Sequence, residues 1–99
     1  MTREKSPCIY IMTNKHNTVL YTGVTSNLSA RLNQHQGNPG FGFTGKYNAK
    51  KLVHVESFED MDQALRREKQ IKGGSRQKKL DLINHNNPEW RDLSEDYLE

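Results

Sequence analysis

The chain has 99 residues, 15 basic and 12 acidic, and a formal charge of +3. That is the usual size of one domain and too short for two, so every functional group has to sit on one scaffold. Hydrophobic residues make up 32% and charged ones 27%, which is apolar-poor, yet three Phe, four Tyr and one Trp suffice for a core. No run approaches the roughly 20 apolar residues of a membrane span, and MTREKSPCIYIM lacks the apolar stretch and cleavage site of a secretory leader. No membrane role and a cytoplasmic location are therefore expected. The single cysteine, Cys8, excludes an internal disulfide and a Cys-rich zinc site, and is expected to be a small buried residue.

Charge is unevenly placed. Residues 1–88 hold 14 basic and 7 acidic groups, whereas residues 89–99 carry five acids against Arg91. The division expected is a body over 1–88 and an acidic tail over 89–99, docked in part through Trp90 and Leu93. Between Arg66 and Lys79 seven basic residues meet one acid, Glu68, a pattern that suits a polyanion such as nucleic acid or, equally, a solvated helix face.

In chain order, Ile9 to Thr13 and Thr18 to Val24 read as two strands around the turn-forming Asn14-Lys15-His16-Asn17. A four-residue loop pairs Thr13 with Thr18 and sets Tyr10 opposite Tyr21 on one face. Ser26 or Asn27 caps a helix through Leu28, Arg31, Leu32 and His35, which stops near Gly37. The glycine-rich loop from Gly37 to Gly45 follows, expected to be mobile and at the surface. KLVHVESF, Lys51 to Phe58, alternates as a third strand, with Leu52, His54, Glu56 and Phe58 on one face and Val53 and Val55 on the other. Asp60 caps a second helix, with Gln63 at capping-box spacing, and Gly73-Gly74 ends it. Ser75 to Ile83 forms a short basic helix, after which Asn84 to Pro88 breaks the pattern. The class is α+β: a small, mainly antiparallel three-stranded sheet flanked by helices in the order β-β-α-β-α-α.

Two helices place polar groups where apolar ones belong. At about 100° per residue Met61, Ala64, Leu65 and Ile71 share a stripe of the second helix, and Glu68 lies near its middle. A carboxylate there needs an ion, a cleft open to water, or a salt bridge to Arg31 or to a lysine. Arg31 and His35 fall in or beside the Leu28 and Leu32 stripe of the first helix. One cleft gathering two phenols, a guanidinium, an imidazole and a carboxylate is thus expected, and for His35 a hydrogen-bonded core histidine competes with that reading.

These residue types suit phosphodiester cleavage. Arginine is a bidentate donor to phosphate oxygens, a carboxylate holds a divalent cation on the leaving side, and a phenol or imidazole takes a proton from water. Neither GxSxG, GxxxxGK[ST] nor GxGxxG occurs, and His16, His35, His54 and His85 show no zinc-ligand spacing.

Taken in order, Cys8-Ile9-Tyr10, Tyr21-Thr22-Gly23, Val24-Thr25-Ser26-Asn27-Leu28 leading to Arg31 and His35, Lys46-Tyr47 before KKLV, Ala64-Leu65-Arg66-Arg67-Glu68-Lys69-Gln70-Ile71-Lys72 and Asn87-Pro88-Glu89-Trp90 resemble the GIY-YIG nuclease superfamily. More closely, it looks like the small stand-alone bacterial branch related to the nuclease module of the excision-repair endonuclease. Cys8 and Thr22 depart from the motif name, and Gly23 retains it. The resemblance implies a divalent-metal-dependent endonuclease acting on DNA in repair, recombination or processing, with one Mg²⁺ or Mn²⁺ held by Glu68 and Arg31 on the phosphate. It further implies the motif tyrosines Tyr10 and Tyr21 as catalytic, Tyr10 as the base with His35 the alternative, and Asn84 or Asn87 in support. Gly23, Lys46, Tyr47, Arg67, Lys69 and Lys72 are the expected nucleic-acid contacts. A nucleic-acid-binding module that keeps the fold without turnover is the alternative function.

Overall fold

The computed structural model describes residues 6–37 and 48–98, with the side chains of residues 35–37 outside the description. The elements are β1 (Cys8–Thr13), β2 (Leu20–Thr25), α1 (Leu28–Gly37), β3 (Lys51–Ser57), α2 (Met61–Lys72) and α3 (Arg76–Asn86), followed by a 3-10 turn at Ser94–Asp96. The strands form one antiparallel sheet of order β2-β1-β3. This is the α+β architecture and element order that the sequence predicts.

β1 is apolar along both faces because it is the central strand and both faces are covered; all six of its residues are buried. Cys8, Tyr10 and Met12 point to one side, where they pack with Leu28 and Leu32 of α1 and with Leu52. Ile9 and Ile11 point to the other, against Ala64 and Ile71 of α2 and Ile83 of α3. The sheet therefore separates α1 from α2 and α3. Burial pushes the Cys8 thiol up to about 11, so it behaves as a core residue and not as a nucleophile.

The hairpin register differs from the sequence expectation. Thr13 pairs with Leu20, Tyr10 with Gly23 and Met12 with Tyr21, so the connection spans residues 14–19 instead of four residues. The side chain of Asn14 closes this longer loop: Oδ1 accepts from the Thr18 amide at 2.8 Å and the Val19 amide at 3.3 Å, and Nδ2 donates to Thr18 Oγ1 at 2.7 Å. Asn17 turns the chain at φ 59°, a left-handed conformation that asparagine tolerates. The shift is two residues, an even number, so Tyr10 and Tyr21 stay on one face but become diagonal neighbours.

The expected alternation of β3 is also corrected. Between Ile11 and Met12 the β1–β3 register skips a residue, with Ile11 opposite His54 and Met12 opposite Leu52. This bulge leaves Val53 unpaired, so Leu52 and Val55 join the Tyr10 side while Val53 and Phe58 join the Ile9 side.

Helix ends follow their capping residues. Asn27, one of the two expected caps, accepts from the Ala30 amide at 3.2 Å, and Asp60 accepts from the Gln63 amide at 2.9 Å. α2 stops where the Gly73 amide returns to the Lys69 carbonyl at 2.9 Å. Ser75 caps α3 through the Lys78 amide at 3.2 Å. α3 runs past the expected end at Ile83 as far as Asn86, because the barrier comes from Pro88, which forces the preceding Asn87 out of helical backbone to φ −148°, ψ 68°. Among the described residues no helix is long and apolar enough to cross a membrane.

Candidate functional site

Tyr10 is fully buried, and its ring lies across Gly23 on the neighbouring strand. A Cβ built on Gly23 would stand 2.5 Å from Tyr10 Cζ and from its hydroxyl oxygen, so only glycine leaves room for the phenol. Tyr21, half-buried on the same strand, sets its ring centroid 6.3 Å from that of Tyr10 at 47°. Arg31 comes from α1 and hydrogen-bonds the Tyr10 phenol. The structure thus brings Tyr10, Tyr21, Gly23 and Arg31 into one group.

The electrostatics of that group set its two phenols apart. Burial pushes the Tyr10 phenol well above its ordinary range and the adjacent Tyr21 raises it further, while the charge and hydrogen bond of Arg31 pull only partly the other way. A phenol with no exposed surface and a disfavoured anion is badly placed to take a proton from water. Tyr21 is the member of the pair that solvent reaches.

Glu68 sits where the helical period puts it, in line with buried Ala64 and Ile71, and its side chain is 16% exposed. Its ion-pair partner is Lys72, one turn on, at 3.1 Å, and that lysine is 53% exposed. This is the lysine salt bridge weighed from the sequence, made within one helix. Leu65 is not part of the buried stripe: it is 43% exposed, rotated about 100° from Ala64.

The expected polar groups are carried by helices in different layers. Arg31 belongs to the helix on the Tyr10 face, whereas Glu68 belongs to the helix packed on the Ile9 face. α2 nevertheless packs against both β1 and β2, and β2 is an edge strand that carries Tyr21.

Other expected contacts have distinct placements. Arg67 turns its guanidinium to Glu56, with Nε to Oε1 at 2.8 Å and a terminal nitrogen to Oε2 at 3.1 Å, and also donates to Gln70. His54 Nε2 meets the same Glu56 Oε2 at 2.7 Å. Burial alone would raise Glu56, but the hydrogen bonds from Arg67 and His54 outweigh it and hold the carboxyl below its usual range. This His54-Glu56-Arg67 cluster was not expected; its one sequence signal was HVES, which puts an imidazole and a carboxylate two apart on one strand face. Lys69 and Lys72 are exposed on α2. Lys46, Tyr47 and the side chain of His35 lie outside the described residues, as does most of the loop from Gly37 to Gly45.

The two candidate asparagines differ sharply. Asn87 is buried and donates to the carbonyls of Val53 at 3.2 Å and Arg91 at 2.9 Å, while its Oδ1 accepts from the Arg91 amide at 3.1 Å. Asn84 is exposed and accepts from the Trp90 indole at 2.6 Å. Trp90 in turn packs on the Ile9 side of the sheet and Leu93 on the Tyr10 side.

The GIY-YIG catalytic domain family matches residues 6–81, a span that takes in both tyrosines, Gly23, Arg31 and Glu68. The chain belongs to the GIY-YIG family. A family member described as a UPF0213 protein, from Staphylococcus haemolyticus, is 41% identical over 75 residues, covering 76% of this chain and 90% of that protein. A UPF0213 protein of Syntrophus aciditrophicus is 42% identical over 79 residues, covering 79% and 90%. The solution structure of a UPF0213 protein from Bacillus halodurans shares the fold with a TM-score of 0.58 at 24% identity, covering 95% of this chain and 99% of that one. The matched stretch is about nine-tenths of the two curated relatives, so they are small stand-alone GIY-YIG proteins.

Proposed function

We propose that the chain is a divalent-metal-dependent endonuclease that hydrolyses DNA phosphodiester bonds in repair, recombination or processing. The observation that carries this reading is the packed group of Tyr10 over Gly23, with Tyr21 beside it and Arg31 on the phenol, within the span matched by a family of nuclease domains.

Glu68 fits the role of metal ligand. It is a hard oxygen donor, largely withdrawn from solvent, whose partner is an exposed lysine able to swing away. A lone carboxylate suits an ion such as Mg²⁺, which keeps several waters and takes one or two protein oxygens. Bound there, Mg²⁺ or Mn²⁺ would neutralise charge on the leaving oxygen. Arg31 contacts the phosphate and Tyr21, in its phenolate form, receives the proton of the attacking water. Tyr10, locked on Gly23, holds Arg31 and Tyr21 in position.

The test is incubation of purified protein with supercoiled plasmid and branched DNA in Mg²⁺ or Mn²⁺, beside Glu68→Gln and Arg31→Ala. Nicking by wild type and its loss in both variants is expected. Identical digests from all three proteins would remove the site from these residues.

A further inference from the structure

The junction of α2 and α3 carries charge that the proposed site does not use. Of the seven basic side chains between Arg66 and Lys79, Arg67 is matched by Glu56 at 2.8 Å and Lys72 by Glu68 at 3.1 Å. The other five, Arg66, Lys69, Arg76, Lys78 and Lys79, make no ion pair among the described residues. Arg76 donates to the Thr18 carbonyl at 2.9 Å and Lys79 to the Gly74 carbonyl at 3.3 Å, contacts that orient these cations without neutralising them. Two of them, Lys78 and Lys79, line a cleft of about 370 Å³ between the two helices together with Arg67, Gln70, Ile71 and Leu82, and no carboxylate is among its walls.

We propose that this junction is a second docking surface for the sugar-phosphate backbone of DNA, flanking the scissile bond and taking no part in the chemistry. The inference rests on the endonuclease reading above. Its occupant follows from the charge: a cluster of unmatched cations presents a strong field to a polyanion, and lysines hold phosphates as point charges without reading bases. The distance also suits. Gly73, the cap of α2, lies five residues beyond Glu68, about 7.5 Å along the helix at 1.5 Å per residue, and one DNA strand advances about 3.4 Å of helix axis per phosphate. A strand whose cut phosphate lies at Glu68 therefore carries a neighbouring phosphate to the junction. The apolar wall of Ile71 and Leu82 faces sugar rather than charge. Affinity and its salt dependence should then belong to the junction, and turnover to Tyr21, Arg31 and Glu68.

The experiment measures binding of a labelled DNA duplex with a single-stranded overhang between about 50 and 200 mM salt, together with kcat at saturating DNA. The double variant Lys78→Gln, Lys79→Gln should weaken binding about tenfold, lower the slope of log K against log salt by about two, and leave kcat unchanged. Arg66→Gln, which changes an exposed residue with no packing role, should weaken binding with a slope change of about one. Wild-type affinity and slope in both variants would overturn the surface while leaving the nuclease reading intact. Poly-glutamate of matched charge binding as tightly as DNA would also overturn it, marking a site for acidic chains in general. No DNA affinity in the wild type would remove the endonuclease reading itself.

Discussion

Tyr10 and Gly23 face each other across β1 and β2, and the phenol of the first fills the space that a Cβ on the second would need. Gly23→Ala puts a methyl 2.5 Å from Tyr10 Cζ, and both are held in a sheet, so the ring must leave its position. Overpacking of this kind costs about 1–3 kcal/mol. Thermal melting should show a lower Tm, and nicking should fall further than the stability loss explains, since the displaced ring no longer holds Arg31. A variant with wild-type Tm and activity would contradict the packing described.

The two tyrosines should separate in kinetics. General-base catalysis contributes about 10²–10⁴-fold, so Tyr21→Phe should lower kcat by about a hundredfold or more. Tyr10→Phe keeps the ring on Gly23 and loses the hydroxyl contacts with Arg31 and Tyr21, so a smaller loss is expected. Single-turnover cleavage of a short duplex reads both. The opposite order would return the base role to Tyr10 despite its burial.

Glu56 makes stability depend on acid. Its carboxyl is held below the ordinary value of 4.5 in the folded protein. A group of that kind contributes stability that is complete above the pH where the unfolded chain titrates, near 4.5, and that disappears as pH falls through the lower folded-state value. Melting temperatures measured downward from pH 6 should therefore fall more steeply for wild type than for Glu56→Gln once pH passes below about 4.5. Parallel curves would show that the Arg67 and His54 contacts do not hold in solution.

Asn87 and Asn84 should differ in cost. Asn87→Ala removes bonds to Val53 and Arg91 from a buried position and leaves backbone groups unpaired, a loss of about 2–3 kcal/mol. Asn84→Ala removes one exposed contact to Trp90 and should cost about 0.5 kcal/mol. Urea unfolding of both variants measures the difference, and equal midpoints would contradict it.

What the sequence made legible is periodic or capped: β1 as an apolar run, the stripe of α2 with Glu68 in line, and the Asp60 and Asn27 caps. What it concealed depends on geometry between elements. The strands fixed the parity of Tyr10 and Tyr21, but their offset depended on how far the Asn14 side chain reaches, which no strand pattern records. The bulge at Val53 left no glycine or proline to announce it. That Arg31 and Glu68 come from helices on opposite faces follows from packing against β1, whose two faces are equally apolar. Arg67 looked like an outward cation because its partner, Glu56, lies eleven residues away on another element.

The outer edge of β3 is closed by residues far along the chain: the Leu52 carbonyl accepts from the Leu93 amide at 2.8 Å, the Leu52 amide donates to Asp92 at 3.2 Å, and the Val53 carbonyl accepts from Asn87. Unpaired strand edges invite pairing with another chain. The partners that cover this edge come from residues 87–93, about forty positions beyond Leu52 in the chain. The stretch around Asn87 is thus a clasp on the sheet's open edge, and damage to it should show first as aggregation during expression.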